Sequence, residues 1–301
     1  MKKIIIILII LVIILVVIGI VLISSNAARQ IANPTGLTLE QEMKWEKEHS
    51  LWGNFDSYEK EEYKVKGYKD YELNVVLVKN PNAGNKYVIL SHGYKSNRYG
   101  NVKYIDTYIN LGFNCVIYDV RGHGNNEKAI VSLGQFESLD LEKIIEDTYK
   151  RYGDISLGLH GESMGSATSL SVLKYKPKVD FVVADCGFSN LYDLIDDLYK
   201  NQKFGFITPF VNMSMKLNYG YDMKNTSPKT ILRDNEVPVC FIHGKNDSFV
   251  LPKHSVINSE NDKGYSEVHL IENAEHAQSR EVLAEKEYTD IVREFLKKVG
   301  K

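Results

Sequence analysis

Several functional classes are excluded by what this 301-residue chain lacks. Its 37 basic and 39 acidic residues nearly cancel, leaving a formal net charge of -2. No basic stripe gathers the positive charges, so no nucleic-acid partner is expected. Only three cysteines are present, Cys115, Cys186 and Cys240. An odd count argues against a disulfide framework, and none belongs to a C-x-x-C pair of the kind that holds zinc. Each lies in or ends an apolar run and reads as a small buried hydrophobe. Gly244-Lys245 lacks the upstream glycine and the following hydroxyl residue of a phosphate-binding loop. No metal or cofactor is expected, and no internal repeat or low-complexity tract appears beyond the N-terminal run.

That run is the first positive feature. Ile4 to Ile23 is apolar throughout, broken only by Gly19 and preceded by Lys2 and Lys3. At about 1.5 Å per residue a helix of this length crosses a hydrocarbon core of about 30 Å. The two lysines and the terminal amine outweigh Arg29 beyond it, so the N-terminus belongs in the cytoplasm and the rest of the chain outside. The alternative is a secreted protein with a cleaved signal, since Ser25-Asn26-Ala27 offers small residues; signal cores are usually shorter, about 7–15 residues. The expected divisions are a membrane anchor or signal over 1–23, a linker and helical segment over 24–63, and one main domain over 64–301. With 44% hydrophobic and 25% charged residues, the chain can bury one large core.

From residue 64 the pattern alternates strand and helix. Strands are predicted at Tyr71–Lys79, Tyr87–Ser91, Cys115–Val120, Ile155–Gly161, Phe181–Asp185, Val237–His243 and Glu267–Ile271. Helices are predicted at Val102–Leu111, Phe136–Tyr152, Met164–Tyr175, Leu191–Tyr199, Pro209–Leu217 and Ser279–Val299. Nearly continuous apolar strands suit an α/β fold with a mostly parallel central sheet flanked by helices, which places ligands beyond the strands' carboxyl ends.

Gly161-Glu162-Ser163-Met164-Gly165 reads G-x-S-x-G between a predicted strand and a predicted helix. This is the context of a nucleophile elbow, where a strained turn leaves a serine hydroxyl exposed at the mouth of a helix. Such a hydroxyl needs a base, an acid to orient the base, and donors for an oxyanion. His276, in the polar loop after the last strand, is the candidate base; His254 and His269 fall in a helix and a strand, and His49 precedes the domain. Asp247, four residues past His243, is the candidate acid, with Asp185 as runner-up. The order Ser163, Asp247, His276 suits this architecture. The oxyanion donors are expected to be the backbone amides of Met164 and Tyr94, with Gly93 permitting close approach and His92 bracing the loop. The Tyr94 ring is also a candidate pocket lining. Asp119-Val120-Arg121-Gly122-His123-Gly124 reads as a structural loop held by an Asp119–Arg121 pair.

With His92-Gly93-Tyr94, the Asp119 to Gly124 loop, His160-Gly161-x-Ser163-Met164-Gly165, His243-Gly244-x-x-Asp247 and His276 in order, residues 64–300 resemble the alpha/beta-hydrolase superfamily. Within it the chain looks like the Bem46-like and dipeptidyl-peptidase-like serine hydrolases of bacteria. The resemblance implies Ser163 as nucleophile, Asp247 as acid and His276 as base, with ester, thioester or peptide hydrolysis and no cofactor. It also implies that the insertion between Phe188 and Asn235 forms a small cap, over about 188–235, although its apolar residues would equally pack on the core. The absence of a propeller-like domain before the hydrolase part weighs against an oligopeptidase. The preferred expectation is a membrane-anchored serine esterase acting on a small-molecule ester or acyl substrate. A serine peptidase or thioesterase, and a non-catalytic binding protein on a hydrolase fold, are the alternatives. Nothing in the sequence fixes an oligomeric state.

Overall fold

The apolar runs in the middle of the chain become the strands of a single sheet. The computed structural model describes residues 2–82 and 84–301. In chain order the elements begin with α1 (Lys2–Ala32), α2 (Leu39–Glu48), β1 (Glu59–Lys66), β2 (Glu72–Lys79) and β3 (Lys86–Ser91). They continue with α3 (Ile105–Asn110), β4 (Asn114–Tyr118), α4 (Gln135–Tyr152), β5 (Ser156–Glu162), α5 (Met164–Ser171) and β6 (Phe181–Asp185). The last are α6 (Leu191–Asn201), α7 (Thr208–Tyr219), α8 (Pro228–Ile231), β7 (Val239–Gly244), α9 (Lys253–Asn261), β8 (Ser266–Ile271) and α10 (Ser279–Lys298). The strand order is β1-β2-β4-β3-β5-β6-β7-β8. β2 is antiparallel to β1 and β4, and every other pair is parallel.

Strand alternation divides the apolar residues between two cores. Val75, Leu77 and Ile89 face one layer, where Leu141 and Ile144 of α4 and Leu170 of α5 pack. Val76, Val78, Val88 and Leu90 face the other, against Ile105 of α3 and Val292 and Phe295 of α10. A sheet covered on both faces explains why β4, β6 and β7 are buried at every position.

The structure departs from the sequence expectations at several elements. The helix beginning at Lys2 does not stop at residue 23 but runs on to Ala32, replacing the first part of the predicted linker. Ser24, Ala28 and Ala32, spaced four apart on one face, are buried, because small residues let the helix approach the domain closely. The N-terminal segment is therefore part of the fold. Residues 59–66, expected to end a helical segment, form the edge strand β1, so the sheet starts before residue 64. α9 was not foreseen beyond a helix start at His254. α2 does form where helix was expected, opened by a Thr38–Gln41 capping box.

The expected Asp119–Arg121 pair is also absent. Asp119 accepts from the Arg98 backbone N–H at 2.9 Å and pairs with its guanidinium at 3.3 Å. Arg121 instead grips Asp140 of α4 with two hydrogen bonds of 2.7 and 2.8 Å. A bidentate partner from another element outweighs a neighbour two residues away. The loop is structural, as read, but its partners are tertiary.

Candidate active site

At the carboxyl end of β5 the chain turns sharply into α5, and Ser163 stands on the bend with φ 55° and ψ -113°. This left-handed backbone costs a non-glycine residue about 1–3 kcal/mol and needs surroundings that impose it. Here the Ser163 N–H donates to Asp185 O at 2.9 Å. The flanking glycines are sterically required. A Cβ on Gly165 would lie 1.9 Å from Ser91 O, and one on Gly161 2.2 Å from Gly165 O.

Three side chains from separate loops meet in a line. Ser163 Oγ is 2.9 Å from His276 Nε2, and His276 Nδ1 is 2.7 Å from Asp247 Oδ2. With Nδ1–H donating to the carboxylate, the neutral imidazole presents the Nε2 lone pair to the serine hydroxyl. Asp247 also accepts from the Phe249 and Val250 N–H groups at 2.9 and 2.8 Å. Burial pushes its carboxyl upward, but hydrogen bonds from His243 and His276 outweigh that and bring it down to about 2. The runner-up acid, Asp185, does not join the line. It is buried and held by Tyr288 OH at 2.9 Å and Ser279 Oγ at 3.2 Å, and burial raises it to about 6.

The two residues expected to supply oxyanion donors line the cavity together with Ser163. Met164 is the first residue of α5, so its N–H has no intrahelical acceptor. Tyr94 and Met164 line the same cavity as Ser163, and a Cβ on Gly93 would lie 3.6 Å from Ser163 Cβ. His92 braces this loop as anticipated. Its Nε2 accepts from Val120 N–H at 2.9 Å and its Nδ1 donates to Gly93 O at 2.8 Å, and burial lowers its pKa to about 3, which keeps the ring neutral. His123 adds a support that sequence reading missed, accepting the Lys95 N–H at 3.1 Å. The remaining histidines serve elsewhere: His160 bonds Tyr108 OH at 2.9 Å, His254 bonds Ser189 Oγ at 2.8 Å, His269 bonds Glu267 at 2.9 Å, and His49 closes α2.

Above Ser163 opens a cavity of about 640 Å³. Phe188, Leu194 and Leu198 from the 188–235 insertion form part of its wall, and Phe249 approaches the His276 ring at 5.0 Å between centroids. Unforeseen from sequence, α1 forms another part through Ile20, Ile23 and Gln30. The signal was there: the small residues Ser24, Ala28 and Ala32 marked a docked helix rather than a linker.

Among the described residues, two clusters carry donor types that metals accept: Cys186 with Asp247 and His276, and Cys240 with Glu267 and His269. In the first, Nδ1 and Oδ2 already bond each other, and burial drives the Cys186 thiol far up, so it stays protonated. In the second, Glu267 is engaged by His269 and Lys298. In both sets the carboxylate and the imidazole are already hydrogen-bonded to each other.

Residues 83–191 match a family model described as serine aminopeptidase, S33. The protein YqkD of Bacillus subtilis (strain 168), itself described as uncharacterized, is 29% identical over 238 residues, 77% of each chain. The Pyrococcus furiosus esterase Pf2001 superposes with a TM-score of 0.66 at 23% identity, over 82% of this chain and 94% of that one. The Pyrococcus horikoshii acylaminoacyl peptidase gives 0.62 at 16%, over 80% of this chain but 41% of its own. Sheet order, elbow and superposition agree: the chain has the alpha/beta-hydrolase fold, and its residues 83–191 are similar to the serine aminopeptidase, S33 family.

Proposed function

We propose that this protein is a membrane-anchored serine esterase whose catalytic residues are Ser163, His276 and Asp247. Ser163 Oγ attacks the ester carbonyl while His276 Nε2 takes its proton. The backbone N–H groups of Met164 and Tyr94 hold the oxyanion. His276 then gives the proton to the departing alkoxide as the ester C–O bond breaks. Water, deprotonated by the same imidazole, attacks the acyl-serine and releases the carboxylic acid. Asp247 fixes the imidazole tautomer and stabilises its charged form. The observation that carries the reading is the 2.9 Å contact of His276 Nε2 with a serine held in a strained bend at an apolar cavity.

Ester is favoured over aminopeptidase chemistry by the lining of that cavity. Among the described residues no Asp or Glu contributes to its wall, and Lys95 is its one charged side chain. A free α-ammonium would enter without a counter-ion, a costly burial. The 188–235 insertion serves as the cap. The helix Lys2–Ala32, long and apolar enough to cross a membrane, is retained rather than cleaved and holds the domain on the outer face. The buried contacts of Ser24, Ala28 and Ala32 support retention.

The test is fluorophosphonate labelling together with hydrolysis of p-nitrophenyl esters, thioesters and aminoacyl anilides by the full chain. Labelling and ester turnover are expected in the native protein and their loss in Ser163→Ala, with the fold unchanged by circular dichroism. Ester turnover undiminished in that variant refutes the assignment; a native protein that neither labels nor turns over is a binding protein instead.

A further inference from the structure

We propose that the cavity is entered sideways from the bilayer, and that its substrate is a long-chain acyl ester of a membrane-resident amphiphile. This deepens the esterase reading and rests on it for the chemistry, and on α1 as a retained span for the location.

The membrane helix is itself a wall of the cavity. Ile20, Ile23, Ala27, Gln30 and Ile31 line it at spacings of one helical face. Ile20 and Ile23 belong to the final turn of the apolar run, at the depth where the hydrocarbon core ends. Gln30, about two turns further out, is polar, as is Asn26, another lining residue on the outer side of Ile23. Along this face, polarity rises in the direction that leads out of the bilayer. An ester with its tail among lipid chains and its head at the surface has the same profile.

A second surface points the same way. Phe210, Met213 and Leu217 follow one face of α7 and are 45%, 55% and 77% exposed. α7 packs beside α1, where Ser214 Oγ meets Ser25 Oγ at 3.5 Å. Phe204 and Phe206, which line the cavity, are 52% and 60% exposed between α6 and α7. These side chains extend the lipid-facing surface of α1 onto the domain, and the occupant that covers them is the outer leaflet. The docking that holds α1 in place is specific. Tyr94 OH donates to Gln30 O and Ile31 O, both at 3.0 Å, and Val131 N–H donates to Ala32 O at 2.9 Å. The domain is thus fixed to the span with its cavity against the bilayer, and the gap between α1 and Phe204–Phe206 is the entrance.

The test uses the full chain in phosphatidylcholine–phosphatidylglycerol vesicles, with p-nitrophenyl butyrate in the water and 1-oleoylglycerol in the bilayer. The double variant Met213→Glu/Leu217→Glu alters the lipid-facing stripe outside the cavity. Its rate on the soluble ester is expected within about twofold of native, and its rate on the bilayer-borne ester lower by about tenfold or more. An undiminished bilayer-borne rate, or an equal loss on both substrates in a variant with native circular dichroism, overturns the proposal. A second measurement needs neither turnover nor that variant. Ser163→Ala is irradiated in vesicles holding a phosphatidylglycerol with a diazirine near the end of one acyl chain. Adducts are expected on peptides containing Ile23 and Phe204–Phe206. Adducts confined to residues 4–18, or a stripe on α7 protected by dimer formation instead of lipid, refute lateral entry. Should native protein hydrolyse no ester while adducts still form at Ile23 and Phe206, the esterase reading fails and the lipid-binding cavity stands.

Discussion

Lys103 Nζ meets Glu162 Oε2 at 2.5 Å, with both side chains buried directly behind the elbow. The same ammonium reaches Ala277 O at 3.4 Å. One cation therefore touches the residue before Ser163 and the residue after His276, tying together loops 113 residues apart in sequence. Tyr104 OH, at 2.5 Å from Glu162 Oε2, completes the grip.

Removing half of a buried pair leaves the other charge uncompensated. Lys103→Met is expected to lose about 3–5 kcal/mol of unfolding free energy in a denaturant titration. Adding Glu162→Gln removes the stranded charge while keeping an acceptor for Tyr104, so the double variant recovers part of the loss. Equal losses in the single and double variants would deny the coupling.

Asp247→Asn preserves shape but removes the charge that selects the imidazole tautomer. A fall in kcat of about 10³–10⁴ is expected, with little change in melting temperature. The native carboxyl, held down to about 2, stays ionised across any practical assay range. Asp247 therefore adds no inflection to the rate profile within that range. An acid-side inflection that vanishes in Asp247→Asn would contradict this.

Stability should follow another pair of carboxyls. Burial raises Glu46 from its ordinary 4.5 to about 8, and Glu42 to about 7. Below about 4.5 both are neutral in folded and unfolded chains alike and impose no penalty. As pH climbs, the unfolded chain ionises first, so stability is lost between about 4.5 and 8 and the loss is complete above that. Glu46→Gln abolishes its share. Its melting temperature relative to native is expected to improve by at least about 4 °C between pH 5 and pH 9. A constant difference across that range contradicts the assignment.

Gly165→Ala is expected to be among the most damaging substitutions available to the chain. The added methyl would lie 1.9 Å from backbone, which has no rotamer into which it can retreat. A loss of more than about 4 kcal/mol in guanidinium unfolding, or failure to accumulate, is the expected outcome.

How much of this was legible depended on what each residue faces. The central strands were readable because both their surfaces are covered. β1, Glu-Lys-Glu-Glu-Tyr-Lys-Val-Lys, was not, because it is an edge strand and buries only Val65. α9 was hidden for the opposite reason: its buried positions, His254, Ser255 and Asn258, are polar. Ser163, Asp247 and His276 could be picked out because each follows a strand of the same sheet, and topology alone carries such positions to one edge. The Arg121 partner could not, since Asp140 comes from a helix whose docking no local pattern encodes. The cavity wall on α1 went unseen because a long apolar run suggests a tether and says nothing of which face turns back to the protein.

Tyr94 gives its backbone to the loop beside the elbow and its hydroxyl to the end of α1. A soluble fragment trimmed to start near residue 27 would discard Ile20, Ile23 and Asn26 and leave one flank of the cavity open to water. Measurements on such a fragment would describe a shallower, wetter cavity than that of the full chain.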